Sequence, residues 1–141
     1  MDFDYVGLVA ALAAATGLFF TAIQLRSTNK THQLELLETI VKDTHSLEQL
    51  FYEKYIDKSE NEKKNWRQLF FQQLEWFAYL VNHKNIKDKE LIKFFKKPFV
   101  RWSEDLFAVH ADDDQLKNPE RFEEFKKLYA TFTGKSIQRQ S

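Results

Sequence analysis

Five residues separate Arg26 from His32. Such a pair offers a guanidinium to hold a phosphate and an imidazole to move a proton, the two functions that general acid–base cleavage of a phosphodiester needs. The other histidines, His45, His83 and His110, carry no metal-ligand spacing, since neither His-Glu-x-x-His nor Glu-x-x-His occurs. Asp112-Asp113-Asp114 supplies oxygen ligands without the spaced set that a calcium loop requires. Cysteine is absent, which excludes disulfides, thiolate zinc sites, iron–sulfur clusters and cysteine nucleophiles. With glycine only at Gly7, Gly17 and Gly134 and proline only at Pro98 and Pro119, phosphate-cradling loops and turn-rich β folds lack their raw material. No catalytic constellation, metal or cofactor is expected, and the chain reads as a non-enzyme.

Charge is the second signal. The 141 residues balance 21 basic against 21 acidic side chains, but unevenly along the chain. Lys84, Lys87, Lys89, Lys93, Lys96, Lys97 and Arg101 put seven positive charges into eighteen residues, opposed by Asp88 and Glu90. The following stretch reverses sign, with Glu104, Asp105, Asp112, Asp113, Asp114, Glu120, Glu123 and Glu124. Lys89, Lys93, Lys96, Lys97 and Arg101 form a candidate contact face. Phosphates of a nucleic acid or nucleotide would suit it, with Phe94 and Trp102 as stacking surfaces. So would anionic lipid heads, a regulatory protein partner, or the acidic segment of a neighbouring subunit. The alternative is a solvated helix face with no partner.

These groups must be positioned by elements of very different character. From Tyr5 to Leu25 the chain runs 21 residues without a charged side chain. At about 1.5 Å per residue, a helix of that length spans the roughly 30 Å core of a bilayer. A cleaved signal peptide is the main rival because of Ala13-Ala14-Ala15, yet Asp2 and Asp4 stand where such peptides carry positive charge. Arg26 and Lys30 directly follow the run, which predicts an inner-membrane protein with its N-terminus outside and its C-terminal part in the cytoplasm. Gly7, Ala10, Ala14, Gly17, Thr21 and Gln24 fall on one side of this helix; Leu8, Leu12, Phe19 and Ile23 fall on the other. A small-residue side lets helices approach closely, so it predicts self-association, or a pore whose Thr and Gln side chains meet water; a plain anchor is the alternative.

The remainder predicts helices throughout. No glycine or proline interrupts Arg26 to Ile56, with apolar residues at Leu34, Leu37, Val41, Leu47, Phe51 and Tyr55. The membrane helix is expected to continue into a long cytosolic rod, with any break near Ser27-Thr28-Asn29. Asp57 to Lys64 reads as a connection. A second helix over about 64–82 carries Trp66, Phe70, Leu74, Phe77 and Val81 inward. After a link with Asp88 as cap, a third helix carries Leu91, Ile92, Phe95, Phe99, Trp102 and Leu106, and Pro98 predicts a kink or a break near Lys97. Asn118-Pro119-Glu120 predicts the start of the last helix, with Phe122, Phe125, Leu128 and Phe132 inward, Glu123 paired with Lys127, and Gly134 at its end. Of the 22 aromatic residues, 18 lie beyond residue 25, enough for a small core. The expected fold is all-α: a transmembrane segment in 1–25, a cytosolic domain in 26–134 with the long helix packed on a three- to four-helix bundle, and a flexible tail in 135–141.

Gln24-Leu25-Arg26 at the membrane junction, Leu74-Glu75-Trp76-Phe77-Ala78-Tyr79-Leu80-Val81, Asp88-Lys89-Glu90-Leu91-Ile92 and Phe99-Val100-Arg101-Trp102 resemble a widespread group of small bacterial single-pass membrane proteins with a short all-helical cytosolic domain. In plan the chain is similar to accessory membrane proteins of type VI-B CRISPR ribonucleases and to antiphage effectors that form membrane pores. The resemblance implies an oligomeric inner-membrane effector that leaks ions and depolarises the cell. A membrane-tethered adaptor, binding a protein or nucleic acid through its basic face, is the alternative. Arg26 and His32 also resemble the Arg-x(4–6)-His pair of helical nucleases that dimerise to cut RNA, which implies a third reading.

Overall fold

The computed structural model describes residues 30–139, and these are all-α, with no strand among them. The apolar run Tyr5–Leu25 and the junction at Ser27–Asn29 lie outside the described residues. Among the described residues no helix is long and apolar enough to cross a membrane. The described residues fall into two compact units that meet in sequence between Gln73 and Leu74.

In the first unit, helix α1 (Lys30–Leu50) runs into a single wider π-helical segment, Phe51–Tyr55, closed by the Ile56 amide on the Phe51 carbonyl at 2.8 Å. Its buried stripe is Gln33, Leu37, Ile40, Thr44, Leu47, Glu48 and Phe51. Ile40 therefore takes the place expected for Val41. Thr44 bridges the polar gap in the pattern because its hydroxyl donates to the Ile40 carbonyl at 2.7 Å, which removes the penalty of burying it. The π segment inserts one residue, and Phe51 and Tyr55 still both turn inward.

Helix α2 (Glu60–Asn82) begins four residues before the expected position. Ser59 and Glu62 explain this: the Ser59 hydroxyl accepts the Glu62 amide and donates to the Glu62 carboxylate, a helix-start signal hidden inside a charged stretch. Trp66 is fully buried in the first unit, stacked on Phe70 at 5.0 Å between ring centres, and its indole donates to the Leu47 carbonyl at 2.6 Å.

The second unit holds the end of α2 and everything after it. Lys84 turns the chain in the left-handed region at φ 65°, a conformation that β-carbon sterics disfavour, and Ile86 is buried behind it. Asp88 then caps α3 (Lys89–Trp102) by accepting the Glu90 and Leu91 amides, both at 3.0 Å. Pro98 lies inside α3 without ending it. The carbonyl deprived of a donor belongs to Phe94, on the exposed side of α3. The irregularity comes later, as a π segment at Ser103–Phe107, where the Ser103 hydroxyl donates to the Phe99 carbonyl at 2.7 Å.

Short helices α4 (Ala108–His110) and α5 (Asp113–Lys117) follow. The triple aspartate is a helix start: Asp112 forms a reciprocal capping box with Gln115. Asn118-Pro119 opens a turn, with Asn118 accepting the Glu120 amide, and α6 (Glu123–Thr133) begins only after Phe122 at φ 54°. Phe99 is the centre of the aromatic core, within 5.6 Å of Phe77, Phe125 and Phe132 between ring centres. Glu123 pairs with Lys127 at 3.1 Å, and Gly134 ends α6 in the left-handed region.

Candidate functional site

Because Leu91, Phe95, Phe99 and Trp102 of α3 are buried, the residues between them are forced outward. Lys89, Lys93, Lys96, Lys97 and Arg101 are all exposed along one side of this helix. Among the described residues no carboxylate lies within ion-pair distance of Lys89, Lys93, Lys96 or Lys97. The Lys96 ammonium sits 5.8 Å from the centre of the Phe132 ring and the Arg101 guanidinium 5.7 Å from that of Trp102, so both long stems lie along aromatic surface. Phe94 projects beside this row, 73% exposed and edge-on to Phe95 at 5.0 Å. Trp102, the second expected stacking surface, is 5% exposed and belongs to the core. Glu90 is the acidic residue on the same side.

A second polar constellation surrounds the start of α6. Phe122 offers no side-chain cap; Glu75, fifty residues earlier on α2, accepts the Phe125 amide at 2.6 Å and also the Glu124 amide. Burial raises the Glu75 carboxyl above the ordinary value, the two amides pull it back, and neighbouring Glu124 and Glu123 raise it further. For Glu124 burial also acts upward, but hydrogen bonds from Asn82 at 2.8 Å and His83 at 3.1 Å outweigh it, and its pKa falls. Two carboxylates pushed in opposite directions is the pattern of an acid–base pair. Here both are occupied in fixing one helix end, which makes the arrangement structural. Nearby, the Tyr129 hydroxyl donates to Glu104 at 2.7 Å, and burial together with that carboxylate pushes the phenol up to about 12.

Residues 135–139 lie against the second unit. Ile137 is buried, and the Arg139 guanidinium donates to the carbonyls of Val109 and Ala111 at 3.1 and 2.8 Å. Between this segment, α5 and α6 lies an open cleft of about 700 Å³, lined by Leu116, Lys117, Lys126, Ile137 and Arg139 among others. Lys126 donates to the Asn118 carbonyl at 2.7 Å, and burial and Arg121 hold its pKa below the usual lysine value.

His32 is exposed on α1, whereas Arg26 lies outside the described residues, as do Gly7, Ala10, Ala14, Gly17, Thr21 and Gln24. Among the described residues no group of His, Asp and Glu is placed to hold a metal. The Glu75 cap escaped the sequence pattern because its partners are so distant, although one signal was present: Glu75 is the only charged residue in Leu74–Val81. Compared with protein-family models, curated proteins and solved structures, the chain matches none.

Proposed function

We propose that this protein is a single-pass inner-membrane protein that self-associates into a ring or pore, leaking ions and depolarising the cell in the manner of an antiphage effector, with its helical cytosolic part as the gate. The observation that carries the reading is Tyr5–Leu25, 21 residues without charge whose Gly7, Ala10, Ala14, Gly17, Thr21 and Gln24 share one helical side. Lipid gives apolar side chains no reason to prefer each other, so close backbone approach along a small-residue stripe is what holds such helices together. Arg26 and Lys30 at one end fix the orientation, with the all-α remainder in the cytoplasm.

Two measurements test this. The detergent-extracted particle should have the mass of an oligomer, Gly17→Leu should reduce it by steric exclusion, and Leu12→Ala on the other side should leave it unchanged. An oligomer indifferent to Gly17→Leu refutes the packing side. Liposomes holding the wild-type chain should release an entrapped dye, and intact liposomes under every condition tried would remove the pore while leaving the anchor.

A further inference from the structure

We infer that the exposed side of α3, formed by Lys89, Lys93, Lys96, Lys97 and Arg101 with Phe94 at its margin, lies on an anionic lipid surface. The inference rests on the membrane anchor proposed above and adds what the anchored chain does with its second unit.

The geometry favours a plane of charge. The five cations follow one another by four, three, one and four residues, so they run as a stripe along a 14-residue helix, about 21 Å long. The opposite stripe, Leu91, Phe95, Phe99 and Trp102, is locked into the aromatic core, so the stripe is held in place and little conformational freedom is lost when it meets a surface. Four of the lysines have no carboxylate within reach among the described residues. Phe94 lies three residues before Lys97 and seven before Arg101, on the same flank, where an aromatic ring can enter the headgroup layer while the lysine stems stretch along it. A single-stranded nucleic acid would ask for successive stacking platforms. Phe94 is exposed, but Phe95 and Trp102 are buried at 6% and 5% exposure, so α3 offers one ring and no series. The tether adds local concentration, because the anchor proposed above confines the whole chain to the membrane.

The chain contains no cysteine, so single labels can be placed without altering it elsewhere. Full-length Phe94→Cys and, as a control, Glu120→Cys at another exposed position are coupled to an environment-sensitive fluorophore and reconstituted in vesicles carrying nitroxide-labelled lipid. With phosphatidylglycerol present, the label at 94 should be quenched and the label at 120 should not; in pure phosphatidylcholine both should stay bright. Added salt should release the contact, and combined Lys93→Glu, Lys96→Glu and Lys97→Glu should lower its equilibrium constant by at least about a hundredfold. Equal quenching in both lipids, or in neither, overturns the inference. So does single-stranded RNA binding to the detergent-solubilised chain that the same triple variant abolishes, which would assign the stripe to nucleic acid. Alkaline washing of the phosphatidylcholine vesicles separates the two levels: a chain washed off refutes the anchor, whereas a chain retained, with a label at 94 that phosphatidylglycerol does not quench, refutes the lipid contact alone.

Discussion

Replacing Glu75 by alanine removes the acceptor for the first amides of α6 at a helix end that has no local substitute. Phe122 supplies no side-chain cap, and Asn82 is already committed to the Glu124 carbonyl and carboxylate at 3.0 and 2.8 Å. A lost cap costs about 1 kcal/mol, and each hydrogen bond to a charged group contributes roughly 1.5–3 kcal/mol. Against that stand the partial burial of the carboxylate and the repulsion from Glu123 and Glu124 that together raise its pKa. The net loss should be about 2 kcal/mol, which corresponds to a roughly thirtyfold larger opening equilibrium constant for α6. Hydrogen exchange of the full chain in detergent, corrected for intrinsic rates, reads this directly at residues 125–133. Glu75→Gln keeps one acceptor oxygen and should lose about half as much. The pH dependence has a definite sign. A carboxyl whose folded pKa is raised binds its proton more tightly in the folded state, so wild-type stability should rise as pH falls through the folded pKa of Glu75 towards the unfolded value. The glutamine variant lacks this titration, and its deficit should widen on acidification. Unchanged α6 protection in Glu75→Ala, or a deficit that narrows at low pH, would refute the argument.

Two further outcomes follow from single contacts. Trp66→Phe deletes the donor to the Leu47 carbonyl and opens space beside Phe51 and Phe70, so the first unit should lose about 1–3 kcal/mol, visible as a lower thermal midpoint. Arg139→Ala frees the carbonyls of Val109 and Ala111, so trypsin should cleave after Lys135 about fivefold faster; an unaltered rate would show that Ile137 alone holds the tail.

The sequence was most legible where burial follows helical period. Trp66, Phe70, Leu74, Phe77 and Val81 on α2 are all buried, as are Leu91, Phe95, Phe99, Trp102 and Leu106 from α3 into the following π segment, and the outward lysines of α3 follow from the second set. It was least legible at helix starts whose satisfaction is not local. Asn118-Pro119 looks like a cap, yet the cap of α6 is Glu75, and no windowed pattern links residues 50 apart. Pro98 leaves α3 unbroken for a related reason. A proline penalty depends on whether the abandoned carbonyl is dry, and that depends on tertiary burial, which composition does not encode. The two π segments likewise leave no trace in hydrophobic spacing, because their extra residue is absorbed where aromatic side chains can still reach the core.

The alternating charge of the second unit has a physical consequence that composition conceals. Although the chain is neutral overall, its acids and bases are not used alike. Asp112 caps α5, Asp114 binds Arg121 at 2.8 Å, Glu104 accepts from Tyr129, and Glu124 holds Asn82 and His83. These acids are oriented by partners within the unit, while Asp105 and Glu120 stay exposed. Among the described residues Lys89, Lys93, Lys96 and Lys97 of α3 have no carboxylate within ion-pair distance. A net-neutral protein thereby presents one strongly positive side, whose interactions must weaken with ionic strength even though the total charge predicts no such dependence.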